Sequence, residues 1–231
     1  MAVRPEDFAY VVRGLAKAGF AGANVTIPHK EAAFAVCDKV APAALRAGAV
    51  NTLVFKDGVI EGTNTDGAGF VANLRAHGAV LGGPALLLGG GGAARAIAVA
   101  LQDAGVAVTI CNRTSARAAE LAEVLGAETL PWAEREAELR RFLLLVNTTS
   151  LGMVNHPPLE MALDAAADGL VVADIVYAPL ETKLLADAKV RGLKAVEGLG
   201  MLLHQAVPGF FAWFGVMPVV DEEIYRIVSA P

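Results

Sequence analysis

The chain has 231 residues, 55% hydrophobic and 19% charged, with a mean hydropathy of +0.50, which excludes intrinsic disorder. Its formal charge of −5 comes without any run of Lys or Arg, which argues against a general nucleic-acid binder. The longest apolar stretch, Ala206 to Val220, is interrupted by Pro208, Gly209, Gly215 and Pro218 and is too short to span a bilayer. Met1 to Pro5 lacks the apolar core of a signal peptide, so export is not expected. Apolarity without a membrane span points instead to strands buried on both faces, as in parallel α/β sheets. Cys37 and Cys111 lie far apart in apolar contexts, and His29, His77, His156 and His204 show no ligand spacing. Two buried free thiols in a cytoplasmic protein, and no metal site, are the expectation.

In chain order, residues 5–18 predict an amphipathic helix with Pro5 in its first turn and Phe8, Val11, Val12 and Leu15 on one face. Ala23 to Ile27 predicts a short strand stopped by Pro28, and a helix follows from Lys30 to Val36. Val50 to Phe55 and Val59 to Gly62, joined by Asp57-Gly58, predict a hairpin with a tight turn. Asp66 heads a helix running to about His77. From Pro84 the pattern changes to strands Ala85–Leu88, Val106–Cys111, Leu143–Val146, Leu170–Ile175 and Lys194–Val196 with helices between them. Those helices include Ala93–Ala104, Ser115–Leu125 and a charged Ala133–Arg141 opened by Trp132. This alternation predicts a doubly wound parallel sheet of Rossmann type beside a smaller α/β domain. The composition break at 78–84 is the expected boundary: 80–205 for the parallel domain, 1–79 and 206–231 for the other.

Gly89-Gly90-Gly91-Gly92-Ala93-Ala94 fits G-x-G-x-x-A between a predicted strand and a predicted helix. Glycine permits the tight turn and a close backbone approach to pyrophosphate, and the helix N-terminus offers unpaired N–H groups to the anion. An NAD site would place Asp or Glu at the end of the second strand, to bind the ribose 2′-hydroxyl. Here that strand ends in Cys111-Asn112-Arg113-Thr114-Ser115-Ala116-Arg117, with no acid. Two guanidiniums and a hydroxyl suit a 2′-phosphate, so NADP(H) is the expected cofactor. The alternative is a solvated helix start with scattered arginines.

Three further segments are loaded with small polar groups: Asn24 to Lys30, Gly48 to Thr52 and Gly62 to Gly67. Singly, Lys30 reads as a helix-start charge, Asn51 as a turn residue and Asp66 as an N-cap. Together they supply an ammonium, a carboxylate and several amide and hydroxyl groups, an inventory that suits a polyhydroxylated substrate and proton transfer coupled to hydride transfer.

The ordered set Asn24-Val-Thr-Ile-Pro-His-Lys30, Gly48-Ala-Val-Asn-Thr52, Gly62-Thr-Asn-Thr-Asp-Gly67 and Gly89 to Ala94 resembles the shikimate dehydrogenase family. Asn112-Arg-Thr114, Asn147-Thr-Thr-Ser-Leu-Gly-Met153, Asp174-Ile-Val-Tyr177 with Pro179, and Gly198-Leu-Gly-Met-Leu-Leu-His-Gln205 continue the match to the C-terminus. The resemblance implies NADP-dependent, reversible reduction of 3-dehydroshikimate to shikimate on the route to chorismate and aromatic amino acids. Quinate or an amino-shikimate is the alternative substrate, and a non-catalytic NADP-binding module the alternative role. By motif, Lys30 and Asp66 resemble the catalytic pair, and Asn51 and Gln205 the ligands of substrate hydroxyls, with Thr26 and Tyr177 at further substrate positions. Cofactor contacts are implied at Gly89, Gly90, Gly91, Gly92, Ala93, Ala94, Asn112, Arg113, Thr114, Arg117, Asn147, Thr148, Thr149, Met153, Gly198 and Met201. Met201 also reads, with Leu202, Phe210, Phe211, Trp213 and Phe214, as core or domain contact. Against the family's pattern, a strand, a short Ser-x-Ser substrate segment and a helix are expected to be missing before Pro5. The resemblance then implies weak shikimate binding by the chain as written.

Overall fold

The computed structural model describes residues 1–229. Its first lobe opens with a 3-10 turn at Pro5–Asp7 that runs into helix α1 (Phe8–Lys17), followed by β1 (Gly22–Asn24), α2 (Lys30–Val36), β2 (Lys39–Val40) and α3 (Pro42–Ala47). The hairpin β3 (Thr52–Lys56) and β4 (Val59–Thr63) turns at Asp57 and Gly58, both with positive φ, as a two-residue hairpin turn requires. These strands form one sheet in the order β1-β3-β4-β2. Phe8 and Val12 of α1 pack with Ala33, Val36, Val50, Leu53 and Ile60 in its core. β1 is shorter than its sequence predicts: the chain leaves the sheet after Asn24, and Ile27 before Pro28 is exposed. The short β2 and α3 have too few residues to show a period and were not legible in the sequence.

Helix α4 (Asp66–Ala76) leads into the second lobe, where β5 (Ala85–Leu88), β6 (Val108–Cys111), β7 (Glu128–Thr129), β8 (Leu144–Asn147), β9 (Val171–Asp174) and β10 (Lys194–Val196) form a parallel sheet. The order is β10-β9-β8-β5-β6-β7, so the winding direction reverses between β5 and β8. Each residue of β5 is fully buried. Ala85 and Leu87 join the core beneath α4, α5 (Gly92–Asp103) and α6 (Ser115–Leu125), while Leu86 and Leu88 join the core beneath α7 (Lys183–Val190) on the other face. Burial on both faces explains the continuous apolar runs.

Two expected helices are absent. Residues 133–141 form 3-10 turns at Trp132–Glu134 and Leu139–Arg141, and the Arg135 guanidinium stacks 4.5 Å from the Trp132 ring. Leu139 and Phe142, three residues apart, are both buried, a spacing that a 3-10 turn serves. Between β8 and β9 the chain is non-helical, and Leu159, Met161 and Leu163 are buried in alternation with exposed Glu160 and Ala162. That period of two is an extended segment laid on the sheet, and Pro157 and Pro158 ahead of it oppose a helix.

Helix α8 (Leu199–Phe214) serves both lobes, and the expected boundary at 205/206 falls inside it. Met201 in its first turn belongs to the parallel-sheet core, whereas Trp213 in its last donates to the Leu53 carbonyl at 2.9 Å. Helix α9 (Glu222–Ser229) closes the described chain. Among the described residues, no helix is long and apolar enough to cross a membrane.

Candidate active site

Sheet register gathers the polar segments of the first lobe. Asn24 pairs with Thr52, and Thr52 with Thr63, so the ends of β1, β3 and β4 lie in one row. Asn51, Asn64, Thr65 and Asp66 emerge just beyond that row, and all four are buried. The backbone N–H of Val50 donates to the Lys30 carbonyl at 2.9 Å, which fixes the start of α2 beside them. Lys30 Nζ then lies 2.5 Å from Asp66 Oδ2, with side-chain exposures of 20% and 8%. Asn51 Oδ1 accepts from the Thr65 backbone N–H at 2.9 Å, and since that N–H can only donate, the amide orientation is determined. Asn51 Nδ2 consequently faces Asp66 Oδ1 at 2.8 Å, Thr65 Oγ1 at 3.0 Å and Gln205 Oε1 at 3.0 Å. Two N–H groups serve three acceptors, so an incoming hydroxyl can displace one without orphaning a donor. Gln205 reaches this point because Gly69 of α4 lies flat against it: a Cβ there would fall 2.6 Å from the Gln205 backbone nitrogen.

The second set of residues lies at the carboxyl ends of the parallel strands. Leu88 pairs with both Cys111 and Asn147, and Asn147 with Asp174, so Gly89, Asn112 and Thr148 start the loops above the reversal point. In open α/β sheets that crevice is where ligands bind. Gly89 has φ +128°, and a Cβ on it would strike Thr148 Oγ1. Gly91 and Gly92 differ: a Cβ on either would meet no protein atom within 4 Å, so these exposed positions leave open space at the N-terminus of α5. A Cβ on Gly90 would lie 3.3 Å from Arg117 Cβ, which brings the glycine loop against the start of α6. Arg113 and Arg117 are exposed and make no ion pair among the described residues. An open cradle of glycines, a helix N-terminus and two uncommitted guanidiniums fit a phosphorylated dinucleotide. The two sets of residues meet through α4: a Cβ on Gly67, next to Asp66, would fall 2.3 Å from the Ala96 carbonyl of α5.

Other sequence-derived positions fall differently. Asn147 is fully buried, and its amide is spent internally: Nδ2 donates to Asp174 Oδ1 and the Leu151 carbonyl, while Oδ1 accepts from Thr149 N and Oγ1. Its side chain therefore braces the loop. Thr148 Oγ1 donates to the Leu88 carbonyl at 2.7 Å. The side chains of Ala94 and Met201 belong to the core, and a Cβ on Gly198 would collide with the Ile175 backbone, so glycine there serves close packing. Met153, Thr26 and Tyr177 are exposed, and Thr26 and Tyr177 make no side-chain hydrogen bond to the Lys30 cluster among the described residues. Thr52, Thr65 and Asn64 join the network but were not singled out from the sequence; their signal was the run of small polar residues directly after a strand. Cys111 is buried and Cys37 partly so, both unpaired, and burial pushes each thiol up to about 11.

Asp174 was likewise unassigned as a site residue. Burial raises its carboxyl above the ordinary range, while hydrogen bonds from Val176 N, Thr182 Oγ1 and Asn147 Nδ2 oppose the rise. The folded state thus holds this proton more tightly than the unfolded chain, and stability falls as pH rises from the ordinary carboxylate range through the folded-state value. Asp174→Asn is expected to remove that slope in urea-unfolding midpoints measured against pH. Asp174→Ala, which orphans three donors, is expected to destabilise by about 2–4 kcal/mol. An unchanged slope in Asp174→Asn would refute the assignment.

A parallel sheet wound from a reversal point, a glycine cradle above it and a Lys–Asp pair against the first crossover helix define a Rossmann-type nucleotide-binding protein of the oxidoreductase class. Residues 1–53 match the pattern described as the shikimate dehydrogenase substrate binding domain, and residues 75–182 that of shikimate / quinate 5-dehydrogenase. A shikimate dehydrogenase (NADP(+)) of Acidiphilium cryptum is 68% identical over 231 residues, covering 100% of this chain and 84% of that one. The structure of shikimate 5-dehydrogenase from Thermus thermophilus in complex with NADP(H) and shikimate superposes with a TM-score of 0.87 at 40% identity, over 94% of this chain and 81% of that one. Quinate dehydrogenase from Corynebacterium glutamicum in complex with NAD gives 0.89 at 31% identity, over 97% and 83%. This chain belongs to the shikimate dehydrogenase family.

Proposed function

We propose that this chain catalyses the NADP-dependent, reversible reduction of 3-dehydroshikimate to shikimate in the cytoplasm, within chorismate and aromatic amino-acid biosynthesis. The observation that carries the reading is the Lys30–Asp66–Asn51–Gln205 cluster, one residue from the contact with the helix that follows the glycine loop. Residues 80–205 act as the NADP domain, and 1–79 with 206–231 as the substrate domain, α8 being shared. Gly90, Gly91 and Gly92 with the α5 N-terminus would hold the pyrophosphate, and Arg113, Thr114 and Arg117 the 2′-phosphate. Asn112, Thr149 and Met153 would complete the cofactor contacts. What NADPH supplies when bound is a hydride to the ketone carbon.

Lys30, as an ammonium, donates a proton to the ketone oxygen as the carbonyl carbon is reduced, giving the alcohol and a neutral amine. Its partial exposure lets solvent return that proton. Asp66 receives Lys30 on one oxygen and Asn51 on the other, which holds the ammonium in one orientation. Asn51 and Gln205 bind substrate hydroxyls by exchanging their mutual bond for bonds to the ring, and Thr26 and Tyr177 would add further substrate contacts. The test is initial rates with shikimate and quinate, each with NADP+ and NAD+. Shikimate with NADP+ is expected to give at least about tenfold higher kcat/KM than quinate, since a site built for particular hydroxyls discriminates strongly. Because the chain as written is expected to bind shikimate weakly, rates are compared up to saturating substrate, and equal or faster turnover of quinate there would overturn the reading.

A further inference from the structure

The α4–α8 crossing is fastened at two points. At one, Gly69 lies against Gln205; at the other, Gly200 of α8 lies against Asn73 of α4 and Tyr225 of α9. A Cβ on Gly200 would fall 1.8 Å from Asn73 Oδ1 and 1.9 Å from the Tyr225 hydroxyl. Asn73 is 1% exposed, a buried amide on a helix packed on both sides by α5 and α8. Its Nδ2 donates to the Glu197 carbonyl at 2.8 Å, so its Oδ1 faces the Tyr225 hydroxyl, which donates to it at 3.3 Å. The same corner is closed by Lys194 Nζ, which donates to the His77 and Gly78 carbonyls at 2.9 and 2.8 Å. Burial, together with the charge of the Glu197 carboxylate and a hydrogen bond to it, pushes the Tyr225 phenol up to about 12, so the hydroxyl stays protonated through the neutral range.

We infer that Tyr225 is a positioning residue for the substrate ligand Gln205, acting through Asn73 and Gly200 to set where α8 lies along α4. This rests on the reading of Gln205 as a ligand of substrate. α4 and α8 run antiparallel at this crossing, with Asn73 one turn beyond Gly69 and Gly200 five residues before Gln205. A shift of α8 by one residue moves its side chains by about 1.5 Å along the axis, enough to break a 3.0 Å bond between Asn51 and Gln205. α9 itself has no buried residue; Ile224 and Tyr225 are its half-buried residues, and Tyr225 makes the bond to α4. Nothing in this arrangement touches the glycine loop, and at the start of α8 Met201 packs into the core and Gly198 against Ile175, so its effect falls on substrate and not on cofactor.

The test is a double-mutant cycle of Tyr225→Phe with Gln205→Ala, read as KM for shikimate, KM for NADP+ and kcat, with melting temperature recorded alongside. Tyr225→Phe is expected to raise KM for shikimate about tenfold, to leave KM for NADP+ within about twofold, and to have less than a twofold effect on either in the Gln205→Ala background. An equal effect in both backgrounds, or a lowered melting temperature with unchanged KM for shikimate, overturns the inference alone. If Gln205→Ala leaves KM for shikimate unchanged, the reading of Gln205 falls and takes this inference with it.

Discussion

Lys30→Met is expected to lower kcat by about 100- to 10,000-fold while leaving the affinity for NADPH unchanged, measured by initial rates and by NADPH titration. Methionine keeps much of the volume and the apolar stem but removes the ammonium from the cluster around Asp66 and Asn51. The hydride can still reach the carbonyl carbon, but the developing alkoxide then has no positioned proton. Because Lys30 starts a helix of the first lobe and the glycine cradle belongs to the second, cofactor affinity provides an internal control for folding. Asp66→Asn keeps one carbonyl oxygen where two acceptors are needed, so either Lys30 or Asn51 loses its partner. A smaller loss, about 10- to 100-fold, is expected, in line with one charge-assisted hydrogen bond. Retention of kcat within tenfold in Lys30→Met would remove Lys30 from the chemistry.

The second large effect concerns the choice of cofactor. Removing Arg113 and Arg117 together by substitution with Ala is expected to raise KM for NADP+ by about 100-fold or more and to leave KM for NAD+ nearly unchanged. The physical reason is that a 2′-phosphate presents two negative charges and several acceptor oxygens where NAD carries one neutral hydroxyl, and only guanidiniums at the end of β6 answer that difference. Both arginines are exposed and, among the described residues, uncommitted to carboxylates, so each has its full donor fork to offer. Exposure also makes the effect salt-dependent: the gap between NADP+ and NAD+ in the unsubstituted protein should narrow as ionic strength rises. Equal losses for the two cofactors would indicate damage to the glycine loop, against which Arg117 packs, and would refute the assignment to the 2′-phosphate.

The parts of the site legible in the sequence were those carried by continuous motifs. Gly89 to Ala94 announces itself because its residues act through the backbone within six positions, and the absence of an acid after β6 is equally local. The hairpin at Asp57-Gly58 was legible for the same reason: a two-residue turn with positive φ admits few side chains. Asn147 shows the limit. It is one residue of a motif whether its amide points into the crevice or back to Asp174, and only the pairing of β8 with β9 puts that carboxylate beside it.

Composition and local pattern alone determined the class: an α/β chain with strands buried on both faces, a glycine loop between β5 and α5, and no acid after β6 where an NAD site would place one. They also supplied the inventory of Lys30, Asn51 and Asp66, because ionisable and amide groups stand out among small apolar neighbours, whereas Gln205 came only from the family resemblance. Tertiary structure alone decided that these four form one cluster, since Gln205 lies 154 positions from Asn51 and reaches it only where Gly69 lets two helices touch. It also decided that 133–141 and the segment between β8 and β9 are not α-helices, because burial of Leu139, Phe142, Leu159, Met161 and Leu163 against the sheet overrides local propensity. Period and turn chemistry act over a few residues and are written in the chain; the close approach of distant helices and the pairing of buried polar groups depend on which surfaces meet.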